Sequence, residues 1–200
     1  MSVWVLATGN TGKVREIGAC LAPFGITLCP QSDYDVIAAE ETGKSFVENA
    51  LIKARNAAMQ TGLPSLADDS GIEVDALNGR PGIHSARFAG AKASDEENIR
   101  KLLSCMDGVE NRRARFVCVL ALVRNAEDPN PVIFEGRWEG RIAEKPSGNG
   151  GFGYDPIFFV PRFNCTAAEL APEQKAAVSH RAQALLKLRL WLAQHDSLIG

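Results

Sequence analysis

Two adjacent carboxylates, Asp68 and Asp69, stand at the join of two short apolar runs in Leu66-Ala67-Asp68-Asp69-Ser70-Gly71-Ile72-Glu73-Val74-Asp75. In a strand, neighbouring side chains face opposite sides, so the two acids part company unless the chain bends between them. Ser70-Gly71 is expected to supply that bend, holding Asp69 at the mouth of a cleft with Asp68 packed beside or behind it. Such a pair suits a divalent metal and an attacking water. On this stretch alone the simpler reading, a solvated turn carrying two acids, is favoured, because Asp-Ser-Gly is ordinary turn chemistry.

Three further groups carry chemistry-bearing residue types. Thr8-Gly9-Asn10-Thr11-Gly12-Lys13 follows a continuous apolar run, Val3 to Ala7, and precedes apolar residues at helical spacing, Val14, Ile17 and Leu21. Strand, Gly-rich loop and helix aim backbone N–H groups and a positive helix end at a phosphate, and Lys13 adds a full charge. The spacing fits neither G-x-x-x-x-G-K-[ST] nor G-x-G-x-x-G. A plain strand-to-helix connection accounts for the loop equally well. Glu40 and Glu41 lie just ahead of a helix opened by Ser45-Phe46-Val47-Glu48, which matches a capping box. That helix is expected to turn Phe46, Ala50, Leu51, Ala54 and Ala58 inward and Asn49, Lys53 and Asn56 outward. Its polar face is usually just solvated; the sharper alternative has the glutamates near a metal and Lys53 reaching a phosphate. The third group is Ser147-Gly148-Asn149-Gly150-Gly151-Phe152-Gly153-Tyr154-Asp155-Pro156. So many glycines around two aromatics suit close approach of the backbone to a flat ligand on which Phe152 stacks.

The elements that must present these residues follow from periodicity. Ile26 to Cys29 reads as a second strand, and Arg115 to Val123 with Val132 to Trp138 as an antiparallel pair. Gly82 to Gly90 reads as a polar loop. Ser94-Asp95-Glu96-Glu97 caps a helix with Ile99, Leu102, Leu103 and Met106 on one face, expected to pack and do no chemistry. One last helix is predicted from about Pro172 into the 190s, carrying Lys175, Ser179, His180 and Arg181 in its early turns. A lone histidine there is more often structural than catalytic.

At 200 residues, 46% hydrophobic and 23% charged, the chain is long enough to bury one core, or a core split into two lobes, and a single domain over 1–200 suffices. A formal net charge of −2 gives no basic surface for DNA or RNA, whereas a small anion needs only a local basic pocket. No apolar run reaches membrane-spanning length, and the short apolar start reads as a strand, so no membrane role and a cytoplasmic location are expected. The five cysteines are scattered without a C-x-x-C pair and read as reduced.

Taken in order, Thr8 to Lys13, Glu40-Glu41-Thr42-Gly43, Ala67-Asp68-Asp69-Ser70-Gly71, Gly82-Ile83-His84-Ser85-Ala86-Arg87, Gly151-Phe152-Gly153-Tyr154-Asp155-Pro156 and Ser179-His180-Arg181 closely resemble the XTP/dITP diphosphatase family. These are house-cleaning pyrophosphatases related to inosine triphosphate pyrophosphatase. The resemblance runs over essentially the whole chain. It implies an α/β fold, with a long mixed β-sheet, flanking helices and two lobes around a central substrate cleft, in a homodimer. It also implies Mg²⁺-dependent hydrolysis of non-standard purine nucleoside triphosphates (ITP, dITP, XTP) to the monophosphate and pyrophosphate. By matching positions, Thr8, Gly9, Asn10, Thr11, Gly12 and Lys13 hold the triphosphate. Asp69 is the proton acceptor and a metal ligand, and Glu40 is a further metal ligand, with Glu41 and Asp68 as alternates. Ser70, Phe152, Gly153, Tyr154, Asp155, Lys175, His180 and Arg181 bind substrate. Preference for a purine 6-carbonyl is expected from donors at His180-Arg181 and at N–H groups freed by Gly151 and Gly153. The competing class is a nucleotide-binding sensor without turnover; the acidic cluster argues against it, since carboxylates near phosphates help only when a metal bridges them.

Overall fold

The computed structural model of the chain describes residues 2–9 and 11–195, the side chains of 11 and 12 excepted. Seven strands form one sheet in the order β2-β1-β3-β4-β5-β6-β7. They are β1 (Ser2–Leu6), β2 (Ile26–Pro30), β3 (Ser65–Val74), β4 (Arg113–Val123), β5 (Val132–Ile142), β6 (Phe158–Val160) and β7 (Cys165–Thr166). Strand β1 pairs in parallel with β2 and β3, while β6 pairs antiparallel with β5 and β7. The α/β fold with a long mixed sheet is therefore as expected. The helices are α1 (Thr11–Leu21), α2 (Phe46–Thr61), α3 (Asp95–Cys105), α4 (Pro172–Val178) and α5 (His180–Gln194).

The chain divides into two compact units. The first comprises Met1–Asp69, Cys118–Glu135 and Gln183–Gly200, and the second Ser70–Val117 and Gly136–Ala182. Each closes around its own apolar cluster. In the first, Trp4, Leu6, Ile17, Leu21, Leu66, Leu120, Leu188 and Leu192 pack together. In the second, Ile72, Leu102, Met106, Phe116, Trp138, Ile142, Ile157 and Phe158 do so. Full burial of a side chain of this size contributes about 1.5–3 kcal/mol, so these clusters dominate the stability of each unit.

Local rules explain most of the elements. Pro23 sits in the 3₁₀ turn Ala22–Phe24 that ends α1, and Gly25 follows with φ 69° before β2 begins. Helix α3 opens with the complete capping box, Ser94 Oγ accepting from the Glu97 amide and the Glu97 carboxylate from the Ser94 amide. At α2 only half of the expected box forms. Ser45 Oγ accepts from Glu48 N, but the Glu48 carboxylate accepts from Lys44 N instead of Ser45 N. Residues Gly82–Arg87, expected as loop, wind into a 3₁₀ helix.

Two larger expectations are corrected. First, no bend follows Asp69: β3 runs unbroken through Ser70-Gly71 to Val74. β3 lies between β1 and β4 in the sheet, and its extended backbone continues past Leu66, where the pairing with β1 stops, to Ile72, whose amide donates to Ser85 Oγ. Second, the last helix is two. Ser179 breaks it with ψ 160°, and its Oγ accepts from the Ala182 amide at 3.2 Å. An N-cap serine in this geometry satisfies an orphan amide of α5, which outweighs continuing a seven-residue helix through it. All five cysteines are free thiols. Among the described residues no helix is long and apolar enough to cross a membrane.

Candidate active site

Because β3 stays extended, its alternation sends the two adjacent acids to different helices. Asp68 accepts from Lys13 Nζ on α1, and Cys118 Sγ lies 3.9 Å from its other oxygen. Asp69 accepts at Oδ1 from Lys53 Nζ of α2, 2.8 Å away. The same ammonium donates to Glu41 Oε1 at 3.0 Å, so a single lysine bridges two carboxylates. Both aspartates are buried, Asp69 to 8% exposure, and Asp69 Oδ2 has no hydrogen-bond partner among the described residues.

The electrostatics follow from that crowding. Burial pushes the Asp69 carboxyl up from its ordinary value; Lys53 pulls it down, and Glu41 and Asp68 push it up again, leaving it raised. For Lys53, burial alone lowers the ammonium's pKa, but Asp69 and Glu41 more than offset it, so the charge is held firmly.

The segment that presents the glutamates is anchored to α2. Gly43 N donates to Asn49 Oδ1 at 2.9 Å. A Cβ at residue 43 would lie 2.6 Å from that oxygen and 2.7 Å from Glu48 Cβ, so only glycine fits. Asn49, expected on the outward face, is completely buried for this reason. Glu40 is exposed, and its carbonyl accepts from Thr42 N at 3.1 Å, making a three-residue turn centred on Glu41.

The second unit gathers a different set. Asp155, buried, accepts from Lys175 Nζ of α4 and from the Phe152 amide. Gly151 has φ 75°, and a Cβ there would run into the Asp155 carboxylate and lie 3.0 Å from Lys175 Nζ. Phe152 is 60% exposed. Lys175 Nζ lies 5.0 Å and Arg181 Cζ 5.9 Å from its ring centroid. His180 is buried and stacks on Phe116 at 4.9 Å and 17°. Tyr154 donates to the Ser85 carbonyl at 2.8 Å, and burial raises its hydroxyl pKa well above the ordinary value.

Sequence reasoning missed two residues here and misjudged one donor. Asp95, in the first turn of α3, accepts from Gly153 N at 2.6 Å. Helix α3 therefore holds the glycine loop in addition to packing, and the Gly153 N–H is committed to Asp95. It is not a free donor for a purine. Ser85 fixes the turn beneath Tyr154, its hydroxyl donating to the Gly82 carbonyl and accepting from Ile72 N. Ser85 lies in one of the motifs that carry the family resemblance, but nothing there gave its role, and Asp95 showed only as an acid following a cap.

The structure thus gathers Lys13, Asp68, Asp69, Lys53 and Glu41 in the first unit, and Phe152 to Asp155, Lys175, His180 and Arg181 in the second. Thr8 and Gly9 precede α1, Thr11 and Gly12 open it, and Ser70 follows Asp69 in β3. Asn10 lies outside the described residues.

Residues 4–191 match the model of the Ham1 family. The chain belongs to the Ham1 family. Two relatives, each named dITP/XTP pyrophosphatase, come from Thioalkalivibrio sulfidiphilus and Photorhabdus laumondii. They are 62% and 59% identical over 183 residues, 90% of this chain and 93% of theirs. A solved Ham1 protein from Coxiella burnetii is 50% identical with a TM-score of 0.94, covering 97% of this chain and 100% of that one. The Ham1 protein of Staphylococcus aureus gives 41% and 0.91, over 96% and 99%. The family match over residues 4–191 takes in residues of both units of the Ham1 chain.

Proposed function

We propose that this chain, working as one domain over residues 1–200, hydrolyses non-standard purine nucleoside triphosphates, dITP, ITP and XTP, to the monophosphate and pyrophosphate. The activity for which its relatives are named, dITP/XTP pyrophosphatase, supports the reading. The observation in the chain itself that carries it is Asp69: buried, anchored at Oδ1 by Lys53, with Oδ2 open to accept a proton.

Mg²⁺ is the implied cofactor, and the donor set fits it. Among the described residues no three His, Cys, Asp or Glu side chains converge. Mg²⁺ usually takes only one or two protein carboxylates, with waters and substrate phosphates completing its octahedron. Asp69 with Glu40 or Glu41 would hold it: Asp69 and Glu41 already converge on Lys53 Nζ, at 2.8 and 3.0 Å, which brings two carboxylates to one place. When bound, the ion neutralises phosphate charge and acidifies water.

The chain's own residues do the rest. Thr8, Gly9, Asn10, Thr11 and Gly12 bind the triphosphate at the start of α1, where helix N–H groups favour anions. Lys13, steadied by Asp68, and Lys53 supply positive charge for the triphosphate, which must be neutralised before a nucleophile approaches in line. Asp69 Oδ2 accepts the proton of a water attacking the α-phosphorus, while Lys53 fixes the orientation of the carboxylate. Ser70 contacts the substrate beside it.

The purine stacks on Phe152, with Gly153, Tyr154 and Asp155 forming the wall and Lys175, His180 and Arg181 supplying charge and donors. A donor set accepts the 6-carbonyl of hypoxanthine or xanthine and opposes the 6-amino group of adenine. A mismatched buried donor costs roughly 1–3 kcal/mol. The chain acts in the cytoplasm as a homodimer.

The test is to incubate the protein with dITP, XTP, ITP, GTP and ATP in the presence of Mg²⁺ and to identify both products. Monophosphate and pyrophosphate in equal amounts, with dITP, ITP and XTP well ahead of ATP, are expected. Release of orthophosphate, or equal kcat/KM for ITP and ATP, would overturn the reaction or the base selection respectively. An unchanged ITP/ATP ratio in Arg181→Ala would move the selection away from Arg181.

A further inference from the structure

One face of α2 carries four polar residues, Asn49, Lys53, Asn56 and Gln60, at i, i+4, i+7 and i+11. At 100° per residue these fall within an arc of roughly 60°, a single stripe along the helix. Every one of them holds the same passing segment, residues 37–43. Gln60 Oε1 accepts from Ile37 N at 2.9 Å while its Nε2 donates to the Ile37 carbonyl at 2.9 Å. Asn56 Nδ2 donates to that carbonyl at 2.8 Å, and Gln60 Nε2 also donates to Asn56 Oδ1 at 3.0 Å, closing the network. Lys53 takes Glu41, and Asn49 takes the Gly43 amide.

The geometry leaves little slack. Eleven residues of helix from Asn49 to Gln60 span about 16 Å, and six residues of chain from 37 to 43 reach at most about 20 Å. The segment therefore runs along α2, antiparallel to it, pinned at both ends, with Glu40 and the turn at Glu41 between the pins. Residues 36–43 belong to no helix or strand, so side-chain amides must satisfy a backbone that no ladder serves. The clamp has no packing purpose at its outer end. It fixes the Ile37 backbone while leaving the residue 78% exposed.

We infer that Asn49, Asn56 and Gln60 are positioning residues. Through the backbone of 37–43 they set where the carboxylates of Glu40 and Glu41 stand relative to Lys53 and Asp69, and so set the affinity for the divalent cation. The inference rests on the proposed Mg²⁺-dependent activity. Asn49 is buried and its loss endangers folding, so the outer pins are the ones to remove.

The experiment compares wild type, the double variant Asn56→Ala/Gln60→Ala, and Met59→Ala, which alters an exposed α2 residue off the stripe. Amide hydrogen exchange of 37–43 is read without substrate, and pyrophosphate release from dITP is read against Mg²⁺ concentration. In the double variant, exchange across 37–43 should rise roughly tenfold or more with α2 itself still protected. The Mg²⁺ concentration for half-maximal rate should rise about tenfold, as for loss of an outer-shell support, with kcat at saturating Mg²⁺ within about twofold of wild type. Met59→Ala should change neither. Unchanged exchange in the double variant overturns the tether, and faster exchange with an unchanged Mg²⁺ requirement overturns its role in the site. A wild type that releases no pyrophosphate would instead sink the proposed activity, while the exchange measurement still decides the tether.

Discussion

Lys53 Nζ lies 2.8 Å from Asp69 Oδ1 and holds that carboxylate from one side only, leaving Oδ2 without a partner among the described residues. The lysine sits on a helix and the aspartate on a central strand, two rigid elements, so the open oxygen has a fixed direction. A proton acceptor needs that combination of fixed geometry and an unused lone pair.

Asp69→Asn should therefore lower kcat by roughly 10²–10⁴-fold, because an amide oxygen is too weakly basic to take the proton. Substrate KM should move far less. Steady-state kinetics with dITP check this, and a kcat near wild type would remove Asp69 from the role.

The two glutamates can be separated. Glu41 shares Lys53 with Asp69, whereas Glu40 is exposed one residue earlier. We expect Glu41→Gln to raise the Mg²⁺ concentration for half-maximal rate by roughly tenfold or more, and Glu40→Gln by less. Titrating Mg²⁺ against rate for both variants decides between them; the reverse order would assign the ligand to Glu40.

Gly151→Ala should raise KM. The residue has φ 75°, and an added methyl would push the Asp155 carboxylate off Lys175 and the Phe152 amide. Left-handed backbone alone costs a non-glycine residue about 1–2 kcal/mol, and the displaced ion pair adds to it. A KM for dITP equal to that of wild type would mean the glycine loop does not shape the purine site.

Stability should depend on pH through Asp128. Its buried carboxylate accepts from Arg124 Nη2, from Arg124 Nε and N, and from Asn130 N. Hydrogen bonds from Arg124, with help from the two amides, hold its pKa well below the ordinary value. A depressed folded-state pKa means stability that is fully present above the unfolded value of about 3.9 and is lost as pH falls through the folded one. Asp128→Asn should be less stable than wild type at pH 7, and the gap between the two proteins should narrow below about pH 4. Denaturant unfolding of both at several pH values reads this out, and a gap constant down to the acid limit would exclude an ionised Asp128 as its source.

The sequence alone determined what depends on near neighbours. Strand, glycine loop and α1 were legible because an apolar run, turn residues and a helical repeat each act within a few residues. Ser94 and Glu97 announced the start of α3 for the same reason. The order of short motifs along the chain named the family, whereas Asp68 and Asp69, expected at a turn, lie within β3, and Lys53 lies within α2. What the tertiary structure decided are the pairings between residues far apart: Lys13 with Asp68 across 55 positions, and Asp95 with Gly153 across 58. Which residues meet there depends on strand order and helix placement, and no local preference encodes either. Ser70-Gly71 stays extended within β3, beyond the residues that pair with β1, and Ser179 ends α4 because its hydroxyl caps α5. Asn49 turns inward because its side chain bonds a glycine amide that only the folded segment brings to it. Ser179 and Asn49 thus take options that partners three and six residues away stabilise, whereas Lys13–Asp68 and Asp95–Gly153 need partners that only the fold brings together, because no local preference reaches that far.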